Sequence, residues 1–518
     1  MGTGRNTCIH DQNSSRLRIL DVTNARITVL ILGDQLAMSN AALDARPSTK
    51  TRVLMIEAAA AMEAPFHRQR LHLVTASMRR FRSELEAAGF EVDYRNAASF
   101  TEGMRLHRDA LEPSAIVAME PTSWDMQALL LSLGVDLVPN NQFLTSRDEF
   151  AEWAGDRPNL VMEDFYRWQR RRLGYLMDED QPAGGRWNHD VDNRRPPPPD
   201  YHDWPEPVVS PLDDIDHDVI ESLGDRSFGA DPDGTWATSR KEALRRLDHF
   251  IQHRLASFGP HQDAIVGDAW SMRHSLISPY LNLGLLLPDE VCDRVERAYR
   301  SGEVPIASAE GFIRQVIGWR EYVNGVYWLW MPDYRASNAL EAHRALPPVF
   351  TGAPTDMACV RSAVTSVHDH AYAHHIQRLM VIANLGLLAG VEPSALTAWM
   401  RRSFIDGGDW VMQPNVLGMG LYADGGRMAT KPYCAGGNYL NRMTDHCAGC
   451  RFDPKQRTGP DACPFTTLYW DFLDRNADRL AGNHRISRQL GGARRLTDMP
   501  EVRERAVEVL SLLDRGEL

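Results

Sequence analysis

The chain has 518 residues, with 57 Lys plus Arg against 69 Asp plus Glu, and 43% of its residues are hydrophobic. This composition is typical of a soluble globular protein and excludes the disordered, fibrous and disulfide-stapled classes. At this length, two or three packed units are expected rather than a single core. The net charge of −12 argues against indiscriminate coating of nucleic acid, but a local basic patch could still bind DNA.

The apolar runs and the cysteines indicate the compartment. The longest apolar run, 379–391, is shorter than the roughly 18 to 20 residues that a membrane-spanning helix needs, so no membrane span is expected. Residues 1–23 are predicted to be a polar extension because they lack the apolar segment of a secretory signal. Of the seven cysteines, four follow residue 430, which favours a local metal or cluster site over a disulfide framework. We therefore expect a cytoplasmic protein.

Residues 24–155 alternate short β-branched runs with segments of helical period, which predicts a Rossmann-like α/β domain with a parallel sheet. The predicted strands are 27–32, 53–56, 115–119 and 135–138. Within 65–89, the residues Leu71, Val74, Met78, Phe81 and Leu85 form an apolar stripe at helical spacing. This segment is predicted to be a helix that packs on the sheet.

Residues 156–234 are predicted to connect two domains. Within them, 181–211 contains two adjacent glycines and the proline run 196–199, which is typical of a semi-rigid connector. Residues 235–518 have helical periods, beginning with Ser239 and Glu242 in capping-box spacing. We therefore predict a large all-α C-terminal domain.

Three cysteines near the C-terminus have the spacing of metal ligands. Cys447 and Cys450 form a CxxC, and Cys463 follows with a proline directly behind it. A fourth ligand would come from Cys8, Cys292, Cys359 or Cys434. The absence of a second CxxC or an HxxxH nearby weakens a zinc interpretation, whereas a Cys-Pro and one remote cysteine are typical of a 4Fe-4S cluster. Zinc and unrelated buried cysteines stay open as alternatives.

Ser278 and Pro279 are predicted to begin a helix, with the serine as N-cap and the proline at the first helical position. The free N–H groups of such a terminus attract an anion. The alternative is that Ser278 only caps an ordinary helix.

Several motifs carry a family resemblance. HSLISPYLNLG at 274–284 resembles the TSxLSPxLxxG flavin-phosphate motif of photolyases and cryptochromes. FIRQVIGWREY at 312–322 resembles their FxxELIWREFY helix, with Gln315 in place of a glutamate and Gly318 inserted. With 374–380, 410–418 and the cysteines, the chain resembles the bacterial iron–sulfur photolyases and cryptochromes, the prokaryotic (6-4) photolyases, over about residues 26–490.

The resemblance implies a monomeric flavoenzyme that uses blue light to reverse (6-4) photoproducts in UV-damaged DNA. Its cofactors would be FAD, a 4Fe-4S cluster and an antenna chromophore, 6,7-dimethyl-8-ribityllumazine. His374 and His375 would assist proton and hydroxyl transfer by general acid chemistry, and Tyr433 and Tyr439 would line the lesion pocket.

The resemblance also assigns residues to each cofactor. FAD would contact Ser275, Ser278, Arg378, Asp406 and Asp409, with Asp409 near flavin N5. The cluster ligands would be Cys359, Cys447, Cys450 and Cys463, and Trp399 would relay electrons. Asp34, Gln35 and Glu57 end the first two predicted strands, where ligands of open parallel sheets bind, and would contact the antenna chromophore. Loop capping, strand-end capping and ordinary aromatic packing are the alternatives.

Two arginine groups, Arg167/Arg170/Arg171/Arg172 and Arg401/Arg402, are predicted to be DNA contacts or solvated helix faces. Asp190 and Asp192 of the connector would repel phosphate unless a Mg²⁺ ion bridged them, and ordinary surface acids are the alternative. Two other functions stay open. A cryptochrome-like photoreceptor would not repair DNA, and an iron–sulfur nucleic-acid-binding module, like a primase large subunit, would lack flavin.

Overall fold

The structure is a computed structural model that describes residues 26–44, 46–62, 65–198, 204–224 and 227–518. The predicted polar extension at 1–23, which includes Cys8, lies outside the described residues, as does Pro199 of the proline run.

The N-terminal part is built on a five-stranded parallel sheet with the order β3-β2-β1-β4-β5. Its strands are β1 Ile27–Ile31, β2 Thr51–Ala58, β3 Glu91–Ala97, β4 Ile116–Met119 and β5 Asp136–Val138. The central strands β1, β2 and β4 are buried on both faces, as expected from their apolar stretches 29–31, 53–56 and 116–119. The predicted α/β class and parallel sheet are confirmed. The edge strand β3 was not predicted, because only Val92 and Tyr94 interrupt its polar sequence.

Helices cover both faces of this sheet. They are α1 Arg68–Ala87 on one face and α2 Phe100–Leu111 with α3 Trp124–Ser132 on the other, whereas α4 Arg147–Ala154 packs on the segment Glu321–Trp330 of the helical part. The helix predicted within 65–89 is confirmed as α1, which buries Met78, Phe81 and Leu85 of the predicted stripe. The order of the strands changes direction between β1 and β4, so the carboxyl ends of these two strands form a crevice suited to a ligand.

Residues 156–234 form more than an extended connector. They contain α5 Met162–Leu173, the short antiparallel strands β6 Met177–Asp178 and β7 Gln181–Pro182, and α6 Asp214–Leu223. Helix α6 packs on α1 of the sheet domain, whereas α5 packs on the segment 314–320 of the helical part. The segment therefore contacts both parts of the molecule.

The described residues from 235 onward are helical and loop regions with isolated β-bridges. The helices are α7 Arg240–His253, α8 Ser278–Leu283, α9 Pro288–Arg300, α10 Ile306–Ile313, α11 Glu321–Trp330, α12 Ala358–His370, α13 His375–Gln377, α14 Asn384–Ala389, α15 Pro393–Ser403, α16 Asp409–Met412, α17 Gly437–Met443, α18 Pro464–Arg475, α19 Ser487–Ala493 and α20 Met499–Arg515. The Ser239 side chain accepts from the Glu242 N–H at the start of α7, which confirms the predicted cap. Within the described residues, no helix has the length and apolarity of a membrane span.

Three π-helical segments, Arg314–Arg320, Arg378–Ala383 and Gln413–Gly420, interrupt this helical part. Such segments are rare and often mark functional sites. The second begins directly after α13, which carries His375. The local backbone therefore departs from regular helix where the predicted catalytic histidines lie.

The arginine run on α5 has a structural role at its centre. Arg170 is 0% exposed and donates to the carbonyl oxygens of Tyr175, Leu176 and Trp187. The prediction that Arg170 contacts DNA or solvent is therefore wrong, because its guanidinium satisfies backbone groups inside the protein. Arg171 is exposed beside it and lies over the Trp187 ring.

Replacing Arg170 with alanine should lower the free energy of unfolding by about 3 kcal/mol, because buried carbonyl groups lose their donors. The matched control, Arg171→Ala, should lower it by less than about 1 kcal/mol. Urea unfolding followed by circular dichroism measures both values. Equal losses in the two variants would contradict a structural role for Arg170.

Candidate active site and cofactor sites

Three histidines meet where the loop before α8 approaches the start of α13. The rings of His274 and His374 are stacked, with centroids 4.6 Å apart and planes 14° from parallel. The His375 ring lies edge-on to His274 at 5.5 Å. The available ring nitrogens of all three lie within 4.8 Å of one another. The structure thus brings His374 and His375 together and adds His274, which the sequence analysis did not single out.

The three rings differ in environment. His374 is 1% exposed, whereas the His375 side chain is 51% exposed, with Nε2 3.2 Å from Asp263 Oδ1. Burial, reinforced by neighbouring cationic groups, lowers the pKa of His274 and of His374 well below its ordinary value. Neither ring nitrogen of His374 has a hydrogen-bond partner within the described residues. A neutral inner ring and an exposed outer ring beside a carboxylate can transfer protons to a bound ligand.

The two predicted lesion-pocket tyrosines are influenced by charged groups from other segments of the chain. Burial, followed by the charge of Asp263, raises the pKa of Tyr439 to about 12. Burial also raises the pKa of Tyr433, and the charge of Arg194 from the connector acts on both phenols in the opposite direction. Both tyrosines are therefore neutral hydrogen-bonding groups near neutral pH. The charges of Asp263, which contacts His375, and of Arg194 from the connector therefore both act on Tyr439. We refer to the exposed surface at His375 as the mouth of the site.

A buried ion pair lies behind this mouth. Arg378 Nη1 donates to Asp406 Oδ1 at 2.8 Å, and Ser278 Oγ donates to Asp406 Oδ2 at 2.7 Å. Burial raises the pKa of Asp406, but Arg378 and the Ser278 hydroxyl outweigh burial and hold the pKa below its ordinary value. The structure therefore brings three of the five predicted FAD contacts together around an ionised carboxylate.

The other two predicted FAD contacts lie outside this network. Ser275 is partly buried in the loop before α8. Asp409 is directed elsewhere, because its Oδ2 accepts from the Tyr327 hydroxyl at 2.6 Å and its Oδ1 accepts from Gln413. The predicted cap role of Ser278 is wrong: Ile277 occupies the N-cap position of α8, and the serine hydroxyl is bound to the stronger carboxylate acceptor.

Trp399 is connected to the ion pair through aromatic rings. It is 9% exposed and packs between Phe350, at 5.0 Å between centroids, and Phe404, at 6.0 Å. The Arg378 guanidinium lies 4.2 Å from the centroid of the Phe404 ring. A continuous set of contacts therefore leads from Trp399 to Arg378.

Four cysteines surround one small apolar cavity. Those that line it are the four predicted cluster ligands, Cys359, Cys447, Cys450 and Cys463. Burial, followed by the neighbouring cysteines, raises the pKa of Cys359 well above its ordinary value and that of Cys447 to about 11. Neither Cys292 nor Cys434 lines this cavity. Folding alone therefore converges residues from α12, the 446–450 turn and the start of α18.

The predicted antenna residues fall into two groups. Asp34 accepts from the Thr122 hydroxyl, and Gln35 Nε2 donates to the Glu120 carbonyl at 2.9 Å, so both span the crevice between β1 and β4. Glu57 lies at the other side of β1 on β2, where Arg79 pairs with it and the Tyr94 hydroxyl donates to it at 2.7 Å. The structure brings Asp34 and Gln35 together but leaves Glu57 in a separate ion pair.

The connector acids are neutralised by arginines of the chain. Asp190 pairs with Arg314 at 3.0 Å and with Arg194, and Asp192 pairs with Arg186 at 2.7 Å. These ion pairs give both carboxylates cationic partners within the chain.

Comparisons with known proteins relate this chain to one family. The family description "Deoxyribodipyrimidine photo-lyase-related protein" matches residues 29–232. A protein named (6-4) photolyase from Agrobacterium fabrum is 43% identical over 504 residues, which cover 94% of this chain and 99% of that protein. The chain belongs to the photolyase and cryptochrome family. The resemblance drawn from the sequence motifs is therefore confirmed.

Two solved structures have folds similar to that of this chain. A bacterial class III photolyase from Agrobacterium tumefaciens matches with a TM-score of 0.59 at 17% identity, covering 96% of this chain and 100% of that chain. A cryptochrome from Synechocystis sp. matches with a TM-score of 0.52 at 14% identity, covering 77% and 83%. The interpretation as a plain iron–sulfur nucleic-acid-binding module loses support, because family similarity extends over nearly the whole chain.

Sequence reasoning missed two residues of the photolyase-like site. His274 stands directly before Ser275 in the motif quoted above, so its position was a usable signal. Asp263 stands in a loop without any motif and reaches His375 only through tertiary folding. No sequence pattern predicted that the charge of Arg194, in the connector, would influence the pKa of both tyrosines.

The stability of this photolyase relative should fall below pH 6.5, because unfolding lets the buried histidines take up protons. His274→Phe keeps a flat ring but removes one titrating group. The slope of unfolding free energy against pH should therefore be smaller in His274→Phe by about 1 kcal/mol per pH unit between pH 6.5 and 5.5, because a histidine of ordinary pKa is only partly protonated in the unfolded chain over this range.

Urea titrations at several pH values measure this slope. The exposed His343, replaced by glutamine, is the control and should leave the slope unchanged. An unchanged slope in His274→Phe would show that His274 is protonated in the folded protein.

Proposed function

We propose that this chain is a light-dependent DNA photolyase that reverses (6-4) pyrimidine photoproducts in UV-damaged DNA. The observation that carries the proposal is the exposed His375 in contact with the buried His274 and His374. The relative named (6-4) photolyase supports it, since the alignment covers almost the full length of both chains.

FAD fits the donors and acceptors behind this mouth. Arg378, Asp406, Ser278 and Ser275 would hold it, and the buried Arg254 has an Nε without a partner within the described residues. A cofactor with phosphate and ring nitrogens suits such groups. When bound and reduced, FAD would supply the light-driven electron for repair. Asp409 stands apart from this set because Tyr327 binds its carboxylate.

His375 and His374 are proposed to have different roles in proton transfer. His375 is exposed at the mouth with Nε2 3.2 Å from Asp263 Oδ1, so its ring is placed to donate a proton to the photoproduct. His374 stays neutral because burial disfavours its charged form, and its unpartnered nitrogens can accept and donate within the site. Tyr433 and Tyr439 stay protonated near neutral pH and can donate hydrogen bonds to a flipped base.

Trp399 is the proposed electron relay. Its contact with Phe404, which lies under Arg378, supports a route from the protein surface to the cofactor. Arg442 is exposed beside Tyr439 and supports attraction of the DNA backbone. We expect a monomer, and the ion pairs of Asp190 and Asp192 make a connector Mg²⁺ unnecessary.

A 4Fe-4S cluster is proposed at the four-cysteine cavity. Among the described residues, ring nitrogens of the three histidines lie within 4.8 Å of one another, but no three of these cysteines have sulfurs that close together. One tetrahedral zinc ion would hold its sulfurs about 3.8 Å apart, so the wider spacing supports a cluster. The cluster would tie α12, which leads toward His374, to the C-terminal segment. Its loss should therefore impair folding.

The antenna chromophore is proposed at the β1/β4 crevice. Asp34 and Gln35 lie there, and Gln35 Oε1 has no partner within the described residues. An unpaired buried acceptor supports a ligand with N–H or hydroxyl donors, as the ring and ribityl chain of 6,7-dimethyl-8-ribityllumazine provide. Glu57 is the weaker part of this assignment, because Arg79 and Tyr94 already bind it.

A cryptochrome-like photoreceptor is the alternative function, and the fold shared with a cryptochrome fits it equally. The two functions differ in lesion turnover. On illumination, flavin-loaded, reduced protein should convert (6-4) photoproducts in an oligonucleotide back into the original pyrimidines. His375→Ala should lower the repair rate at least about 100-fold, because it removes the proposed proton donor. Chromatography of the digested oligonucleotide measures repair.

Two controls sharpen this experiment. His343→Ala, on an exposed residue far from the mouth in sequence, should repair at the native rate. An oligonucleotide with a cyclobutane dimer tests lesion choice. Repair of neither lesion by flavin-loaded native protein would favour the photoreceptor, and repair of the cyclobutane dimer alone would overturn the proposed substrate.

Cys450→Ser should remove iron and acid-labile sulfide together and should lower the yield of folded protein. Cys434→Ser is the matched control, because Cys434 lies nearby in sequence but outside the cavity. Iron, zinc and sulfide analysis of both purified variants checks the prediction. Stoichiometric zinc without sulfide in the native protein would contradict the cluster.

A further inference from the structure

A cleft of about 1290 Å³ opens between α12, α15 and the segment 346–356. Its size is sufficient for a coenzyme-sized molecule. Of the residues proposed above for FAD, lesion, cluster, antenna or electron relay, Trp399 alone lines this cleft. The cleft is therefore a separate feature that the proposed repair reaction does not use.

The walls of the cleft are mainly apolar. The aliphatic and aromatic residues that line them include Val349, Phe350, Val364, Val367, Ala395, Ala398 and Trp399. The rings of Phe350 and Trp399 are 5.0 Å apart at 48°, so they offer two adjacent aromatic surfaces. A flat aromatic molecule would find both stacking and edge contacts here.

Unpaired polar groups stand among these apolar walls. Ser403 is 0% exposed and its hydroxyl has no hydrogen-bond partner within the described residues, and Arg402 Nε is buried without one. Leaving such groups unpaired costs about 1–3 kcal/mol each, which a ligand with acceptor oxygens would recover. Both residues belong to the last turn of α15 and line the same cleft.

The charge balance of the cleft favours an anion. In the part of the chain that the structure describes, neither Arg402 nor Arg361 forms an ion pair. Two acidic side chains at the rim already have partners, because Asp356 pairs with Arg451 and Glu517 pairs with Arg515. Leu518 also lines the cleft, and its carbonyl oxygen accepts from the Asp356 N–H. An uncharged apolar ligand would leave the guanidinium and the hydroxyl unpaired. A small hydrophilic anion would leave the apolar walls without contacts.

We propose that this cleft binds an aromatic anion of coenzyme size. The ring system would lie against Trp399 and Phe350, and its phosphate, sulfonate or carboxylate group would accept from Arg402 and Ser403. Ligand binding here is independent of the repair chemistry proposed above, so either proposal can fail alone.

The test uses two fluorescent probes that share one ring system. Anilinonaphthalene sulfonate carries an anionic group, and N-phenyl-1-naphthylamine lacks it. The FAD-loaded full chain should bind the sulfonate at one saturable site. Arg402→Gln should weaken sulfonate binding about tenfold, corresponding to one lost charge-assisted hydrogen bond, and should change binding of the neutral probe less than twofold. Arg402→Lys, which keeps the charge, should retain most of the affinity.

Two further variants complete the design, and circular dichroism verifies the folding of each. Ala398→Trp fills the cleft and should abolish binding of both probes, while Arg479→Gln, on an arginine that lines a different cavity, should leave binding unchanged. Ser403→Ala should weaken the sulfonate but not the neutral probe. Equal sulfonate affinity in native protein, Arg402→Gln and Ser403→Ala would overturn the proposal even if Ala398→Trp fails to fold.

Discussion

The buried ion pair between Arg378 and Asp406 is the interaction on which the rest of the helical part depends. It joins the π-helical segment behind the histidines to the loop after α15, and the hydroxyl of Ser278 ties in the start of α8. Two buried charges are tolerated only because they pair with each other. Removal of one partner leaves an uncompensated buried charge, which costs about 3–5 kcal/mol of stability. The histidine site, the proposed flavin contacts and Trp399 are all placed relative to this pair.

Differences in burial give neighbouring residues of the same type different environments. His374 and His375 are neighbours in sequence, but the first lies inside the protein and stays neutral, whereas the second lies at the surface beside Asp263. Two residues of the same type thus stand side by side in different environments. The same principle separates Arg170, which satisfies buried carbonyls, from its exposed neighbour Arg171.

Helices α12 and α15 connect the distinct sites. Cys359 lies near the start of α12, and the helix ends shortly before His374. Trp399 on α15 contacts Phe404 on one side and lines the cleft on the other. The proposed cluster, the proposed catalytic mouth and the proposed ligand cleft therefore share two helices.

The sequence by itself determined the α/β class, the helical second part and the family, because hydrophobic period and contiguous motifs are local properties of the chain. The spacing of the cysteines indicated three of the cavity-lining set, and only the family resemblance added Cys359. The sequence did not predict β3, whose polar residues suit a sheet edge, or the roles of Asp263, Arg170 and Asp409. Those roles depend on partners far away in sequence: Asp263 reaches His375, Arg170 reaches Trp187, and Tyr327 binds Asp409. Only the tertiary structure decided them, since burial and charge pairing arise when distant segments meet.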